Sequence, residues 1–237
     1  TLPWFIYKIK RMGYKIVMGV ALQRAAKIIT ATQATKQEIM DHYKIKPEKI
    51  VVTYEAAGEP ILKQVQNDVV KDKYFLYVGN AYPHKNLERL LEAIVNFKLK
   101  ISNFKFVMVG PDDYFYKKLK EKVQKTGLSD QVVFYGPATR EELTDLYKNA
   151  LALIFPSLME GFGLPGVEAM ANNCLVLCSD IPVFHEILGE AAVYFDPNET
   201  ADISDKMQMV IKNRQVFQSL KLKGLKQAKK YSWQKLV

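Results

Sequence analysis

Between residues 74 and 195 the chain alternates short, mainly apolar runs with stretches of helical periodicity, and it does so six times. The runs at 74–78, 104–109, 132–135, 150–155, 175–178 and 192–195 have the length of strands. They lack a polar alternate face, which marks strands buried on both sides. Helices are expected between them at 87–98, 114–126, 140–148, 164–171 and near 183–188, and afterwards at 201–220 with a basic helix following. Strands and helices in strict alternation specify a parallel sheet covered on both faces. The expected fold is therefore α/β, with a complete doubly wound Rossmann-like domain over residues 73–237.

Ahead of it, residues 1–58 hold less. A helix is expected at 4–27, a strand at 27–32, a helix at 34–43 and a strand at 50–54. One β-α-β unit and one helix cannot close a core, because a parallel sheet needs several strands and both faces covered. This segment reads as the end of a second Rossmann-like domain whose earlier part is missing. The other reading of the residues is a cap packed directly on the second domain. Residues 59–72, with Pro60 and no clear period, read as the hinge between the two.

Charge is distributed to match this division. The formal net charge is +9, yet residues 1–50 carry 10 basic and 3 acidic side chains, residues 204–237 carry 9 and 1, and the middle carries 15 and 21. Any polyanion contact would involve the ends. Phe5, Ile9, Met12, Ile16 and Val20 recur at helical spacing beside Lys8, Arg11 and Lys15, with no acid before Glu38. A helix of this kind can lie on anionic lipid or pack on its own domain. Basic residues run through its apolar part, unlike a secretory signal. No apolar run approaches the ~20 residues that cross a bilayer. A cytoplasmic protein is expected, with this helix as the candidate contact to the inner face of a membrane. Cys174 and Cys178 fall in one strand-like run, about 13 Å apart along it, where a disulfide needs about 7 Å or less. They read as buried thiols, which suits a reducing compartment.

Several chemistries lack their residues. His42, His84 and His185 are scattered, no paired Cys-x-x-Cys or His-Glu-x-x-His occurs, and no metal is expected. Also missing are the Gly-x-Ser-x-Gly elbow of α/β-hydrolases, the Gly-Lys-Ser/Thr end of a P-loop, and an Asp-x-Asp clamp for a metal-bound diphosphate. Gly161-Phe-Gly163-Leu-Pro-Gly166 does fit the dinucleotide fingerprint Gly-x-Gly-x-x-Gly, with Asp180 nineteen residues after the first glycine. Against that reading, Pro156–Glu160 intervene between strand and glycine, and the match comes late in the domain instead of at its first strand. Nucleic-acid binding through the basic ends finds no interleaved aromatic platform.

The same glycine-rich stretch makes better sense as an anion and sugar site. Pro165 suits the first turn of a helix, Gly161 and Gly163 allow close backbone approach, and the N–H groups of 162–166 are expected to point outward toward a phosphate. Glu160 and Glu168 bracket the turn. A carboxylate beside a phosphate is repelled by it, which leaves sugar hydroxyls as its natural donors. Two structural alternatives stand beside this: Glu168 as a first-turn dipole partner, and Lys85, in His84-Lys85-Asn86, as part of a solvated cap.

Pro156-Ser-Leu-Met-Glu160-Gly-Phe-Gly-Leu-Pro-Gly-Val-Glu168-Ala-Met-Ala resembles the signature of retaining glycosyltransferases of family 4, with seven residues between its two glutamates. Tyr77-Val-Gly79-Asn80, Pro83-His-Lys85-Asn-Leu, Phe106-Val-Met-Val-Gly110, Val133-Phe-Tyr-Gly136 and Cys178-Ser-Asp-Ile-Pro-Val-Phe-His-Glu186 extend the resemblance over nearly the whole chain, and Tyr231-Ser-Trp233 is similar to the start of the family's last helix. The resemblance implies a GT-B fold, two Rossmann-like domains facing a cleft, and transfer of a sugar from a UDP- or GDP-linked donor to a saccharide or lipid-linked acceptor with retention of configuration. By position, Glu168 would take the ribose hydroxyls, Glu160 the donor sugar or the β-phosphate region, and Lys85 the diphosphate. Phe162, Gly163 and Leu164 would offer backbone N–H groups, while Gly79, Asn80, Gly110, Gly136 and Pro137 would line the nucleotide pocket. Catalysis would rest on Lys85 and Glu160 without metal or other cofactor. Asn80 stands where many relatives carry arginine, and the acceptor half is largely missing, so a non-catalytic nucleotide-sugar-binding fragment is the alternative.

Overall fold

The computed structural model describes residues 4–56, 58, 73–98 and 104–231. It divides into two compact units, Thr1–Tyr54 and Glu55–Val237. The 59–72 hinge expected from sequence, and the end of the Tyr231-Ser-Trp233 motif, lie outside the described residues.

In the first unit, helix α1 (Trp4–Arg24) precedes strand β1 (Ile28–Thr30), helix α2 (Gln33–Tyr43) and strand β2 (Ile50–Val52), and the two strands pair in parallel. Thr32 caps α2, its hydroxyl accepting from the Thr35 N–H at 3.1 Å, and Lys44 ends it in a left-handed conformation. Leu22, Ile28, Ile45 and Ile50 form the small core. Side chains of a strand alternate between faces, so Ile29 and Val51 point the other way and are exposed. Along α1, Trp4, Phe5, Ile9, Met12, Ile16 and Val20 are exposed as well. No described helix is long and apolar enough to cross a membrane.

The second unit contains a six-stranded sheet of β3 (Tyr74–Val78), β4 (Lys105–Val109), β5 (Val132–Gly136), β6 (Ala152–Phe155), β7 (Val176–Ser179) and β8 (Val193–Phe195). Its order is β5-β4-β3-β6-β7-β8, and every pairing is parallel. Helices α3 (Leu87–Lys98), α4 (Tyr114–Lys125), α5 (Arg140–Asn149), α6 (Leu164–Ala171), α7 (Pro182–Leu188), α8 (Thr200–Lys212) and α9 (Arg214–Ala228) complete it. Phe75, Tyr77, Phe106, Met108 and Ile154 share one core with α3, α4 and α8. Tyr74, of opposite parity, instead donates its hydroxyl to the Leu146 carbonyl of α5 at 2.8 Å. The two faces are therefore covered by different helices, as continuously apolar strands require.

Two sequence expectations need correction. The helical stretch after the last strand breaks at Asn213, not after Leu220, and α9 packs on α6. Cys174 precedes β7 instead of lying in it, although both cysteines are buried free thiols. Burial pushes the Cys174 thiol up to about 12, against the opposing pull of the Lys221 charge and a backbone hydrogen bond from Leu153.

Candidate functional site

The chain starts the sheet at β3, adds β4 and β5 on one side, and then crosses to place β6 on the other. Beyond the carboxyl ends of β3 and β6 the loops diverge, and this switch point is where open α/β sheets bind ligands. The loop after β3 runs from Gly79 to Lys85, and the loop after β6 from Pro156 to Gly163. Topology alone thus brings together two motifs some 75 residues apart. The Leu158 N–H donates to the His84 carbonyl at 2.8 Å, joining the loops directly.

Lys85 closes a short 3₁₀ turn, Pro83–Lys85, which ends at Asn86 with φ of 59°. The Asn86 side-chain amide donates to the Pro197 carbonyl at 2.8 Å and ties the turn to the loop after β8. Pro83 starts the turn and Asn86 tolerates the left-handed end, so Pro-His-Lys-Asn is suited to this geometry. Its product is an ion pair: Lys85 Nζ meets Glu160 Oε1 at 2.5 Å, with side chains only 13% and 10% exposed. The solvated-cap reading of Lys85 does not hold. What the sequence did not indicate is that the two groups expected to contact the donor first contact each other.

Gly163 opens α6 with φ of 93°, and a Cβ there would come within 2.9 Å of the Phe184 ring. Pro165 occupies the first turn. The Gly166 N–H is taken by the Gly163 carbonyl at 2.9 Å, which removes it from the expected row of outward donors. Phe162 is buried edge-on against Tyr231, 5.5 Å between ring centroids. Leu164 is the first residue of α6, half-buried.

Glu168 lies beyond the first turn of α6, so a first-turn dipole role does not apply. It lines a pocket of about 40 Å³ together with Arg140, Thr144, Tyr147 and Asn172. Burial raises its carboxyl above the ordinary range, while a hydrogen bond from Tyr147 and the charge of Arg140 pull it down.

On the other side of the switch point, Gly79, Gly110 and Gly136 follow one another across the ends of β3, β4 and β5. The Gly79 N–H donates to the Val109 carbonyl at 3.0 Å and the Gly110 N–H to the Gly136 carbonyl at 3.1 Å. The register slips by one so that Val109 pairs with Gly136, whose φ is 86°. A Cβ on Gly110 would overlap the Gly79 carbonyl oxygen and the Tyr116 hydroxyl. Asn80 is held by its backbone, its carbonyl accepting from the Tyr77 hydroxyl at 2.6 Å. Pro137 follows on the surface. Sequence reasoning missed the struts beneath these loops: Tyr77 below Asn80, and Tyr116, 2.8 Å from the Gly79 carbonyl and 3.0 Å from that of Val109. A tyrosine in an apolar run reads as core; only the position of its hydroxyl distinguishes a strut.

A doubly wound sheet whose switch-point crevice is walled by a glycine ladder, a charged pair and a glycine-opened helix is the construction of a Rossmann-like domain. Comparison with known proteins specifies it further: the profile of the glycosyl transferases group 1 matches residues 59–230, and the chain belongs to that family. It is 34% identical over 206 residues to the O-antigen chain mannosyltransferase RfbU of Salmonella typhimurium, covering 86% of this chain and 55% of that protein. With O-antigen chain mannosyltransferase B of Escherichia coli it shares 27% over 226 residues, 90% of this chain and 59% of that one. The chain thus spans little more than half the length of these relatives. Among solved structures, sucrose-phosphate synthase from Thermosynechococcus elongatus superposes with a TM-score of 0.82 at 20% identity, covering 94% of this chain and 58% of that chain. Anabaena HepE in complex with UDP-glucose gives 0.80 at 16% identity, covering 94% and 64%. Such structural neighbours are GT-B glycosyltransferases, and at these identities the likeness is one of fold.

Proposed function

We propose that the chain forms the donor-binding part of a retaining glycosyltransferase that takes a sugar from a nucleoside-diphosphate sugar and passes it to a saccharide or lipid-linked acceptor. The observation that carries this reading is the Lys85–Glu160 pair at the switch point, set between the glycine ladder and the start of α6. Mannose is the sugar the reading favours, because the sequence relatives include O-antigen chain mannosyltransferases. The donor nucleotide is GDP or UDP.

The chemical demand is to stabilise the charge that develops on the departing diphosphate. Lys85 supplies a cation already held in place by Glu160, so little reorganisation is needed when a phosphate arrives. The backbone at Gly163 and Leu164 adds N–H groups and the positive end of α6. Glu168 takes the ribose hydroxyls from its pocket. Retention follows if the acceptor hydroxyl attacks the anomeric carbon from the face the diphosphate leaves, with a departing phosphate oxygen accepting its proton. Glu160 sits where a donor sugar hydroxyl can replace or share Lys85. We propose that residues 1–54 belong to the acceptor-side domain and that α1 meets anionic lipid, a reading supported by its basic charge and exposed apolar residues. Donor binding without turnover is the alternative.

The test is unfolding temperature measured with GDP, UDP, ADP, CMP and NAD. A ligand of the native state at a hundred times its Kd adds about 2.7 kcal/mol. One nucleoside diphosphate should raise the midpoint, and Glu168→Ala should abolish the rise. Stabilisation by NAD alone would transfer the assignment to a dinucleotide enzyme.

A further inference from the structure

Tyr147 enters none of the roles above, yet its hydroxyl ends at one of them. It sits near the end of α5, which starts from a capping box in which the Thr139 hydroxyl accepts the Glu142 N–H at 3.2 Å and the Glu142 carboxylate accepts the Thr139 N–H at 2.7 Å. The side chain is 1% exposed, and its hydroxyl donates to Glu168 Oε2 at 3.1 Å. Both residues line the same pocket. From below, Asn172 secures the backbone of Glu168, its side-chain amide donating to the Glu168 carbonyl at 2.9 Å. Burial keeps the Tyr147 phenol protonated, so toward a carboxylate it can only donate.

We propose that Tyr147 is a positioning residue for donor binding: its buried hydroxyl fixes the Glu168 carboxylate through Oε2 and leaves Oε1 to accept the ribose hydroxyls of a nucleoside diphosphate. The proposal rests on the assignment of Glu168 to the ribose. A free glutamate would sample several rotamers and lose that freedom on binding each ligand. With one oxygen already bonded to a rigid ring, the carboxylate enters the complex preorganised. The alternative is that Tyr147 only fills space between α5 and α6, and phenylalanine would do that equally well.

Calorimetric Kd values for GDP and UDP, and for their 2′,3′-dideoxy forms, separate these roles in the wild-type chain, Tyr147→Phe and Glu168→Gln. Tyr147→Phe should still unfold in one cooperative transition, bind the better ribose-bearing nucleotide about three- to tenfold more weakly, and match the wild type on the dideoxy form. Glu168→Gln should also weaken only the ribose-bearing ligands. If Glu168→Gln weakens binding and Tyr147→Phe does not, the positioning role falls while the ribose assignment stands. An equal loss on both kinds of ligand in Tyr147→Phe would reduce the residue to packing. Undiminished binding in Glu168→Gln, or no binding of either nucleotide to the wild type, would remove the assignment and the inference together.

Discussion

Lys85 and Glu160 hold opposite charges at 2.5 Å in a crevice that leaves each little exposed. Removing one partner leaves the other desolvated and unpaired, which costs about 1–3 kcal/mol. Lys85→Met and Glu160→Gln should therefore each lower stability in urea unfolding, and the double variant should recover part of the loss. Affinity for a nucleoside diphosphate should behave differently, falling about tenfold or more in Lys85→Met and staying low in the double variant, since a hydrogen bond to a charged group is worth about 1.5–3 kcal/mol. Recovery of both quantities together would mean that Lys85 serves only the fold. Residue types were legible from the chain: a lysine before a helix and two glutamates around a glycine turn could be picked out as candidates from their spacing alone. Their pairing was not, because 75 positions separate them in sequence.

Among the elements, the turns after β3, β4 and β5 form a ladder whose tightest point is Gly110. A Cβ there has nowhere to go, since the Gly79 carbonyl and the Tyr116 hydroxyl already occupy its space and both belong to packed elements. Gly110→Ala should cost about 1–3 kcal/mol, the usual range for forcing extra atoms into a packed site, and should weaken nucleotide binding by displacing Gly79. Retained stability with retained affinity would show that the ladder can yield. Element limits were largely readable: β3, α3 and α6 fall where their apolar patterns place them, since strand and helix periods are local properties. The division between α8 and α9 was not, because a helical pattern continues through Asn213 and the break answers to the packing of α9 on α6.

For the molecule as a whole, the two units differ in how well they cover their apolar surface. The second buries both faces of its sheet, whereas α1, Ile29 and Val51 of the first leave apolar side chains exposed beside six basic residues between Lys8 and Lys27. Co-sedimentation with vesicles containing phosphatidylserine should retain the protein at low salt and release it as salt rises, because each basic residue near such a surface contributes about 1 kcal/mol that screening removes. Failure to sediment would assign the face to protein instead of lipid. The sequence by itself determined the doubly wound architecture, the family signature and the kinds of side chain at the site, because periodicity, turn residues and motif spacing act over a few positions. Only the tertiary structure decided which of those side chains meet. The crossing from β5 to β6 creates the switch point, which brings Lys85 to Glu160, and the placement of α5 lets the Tyr147 hydroxyl reach Glu168 on α6. Such contacts depend on strand order and helix packing, which are properties of the assembled sheet and not of any segment within it.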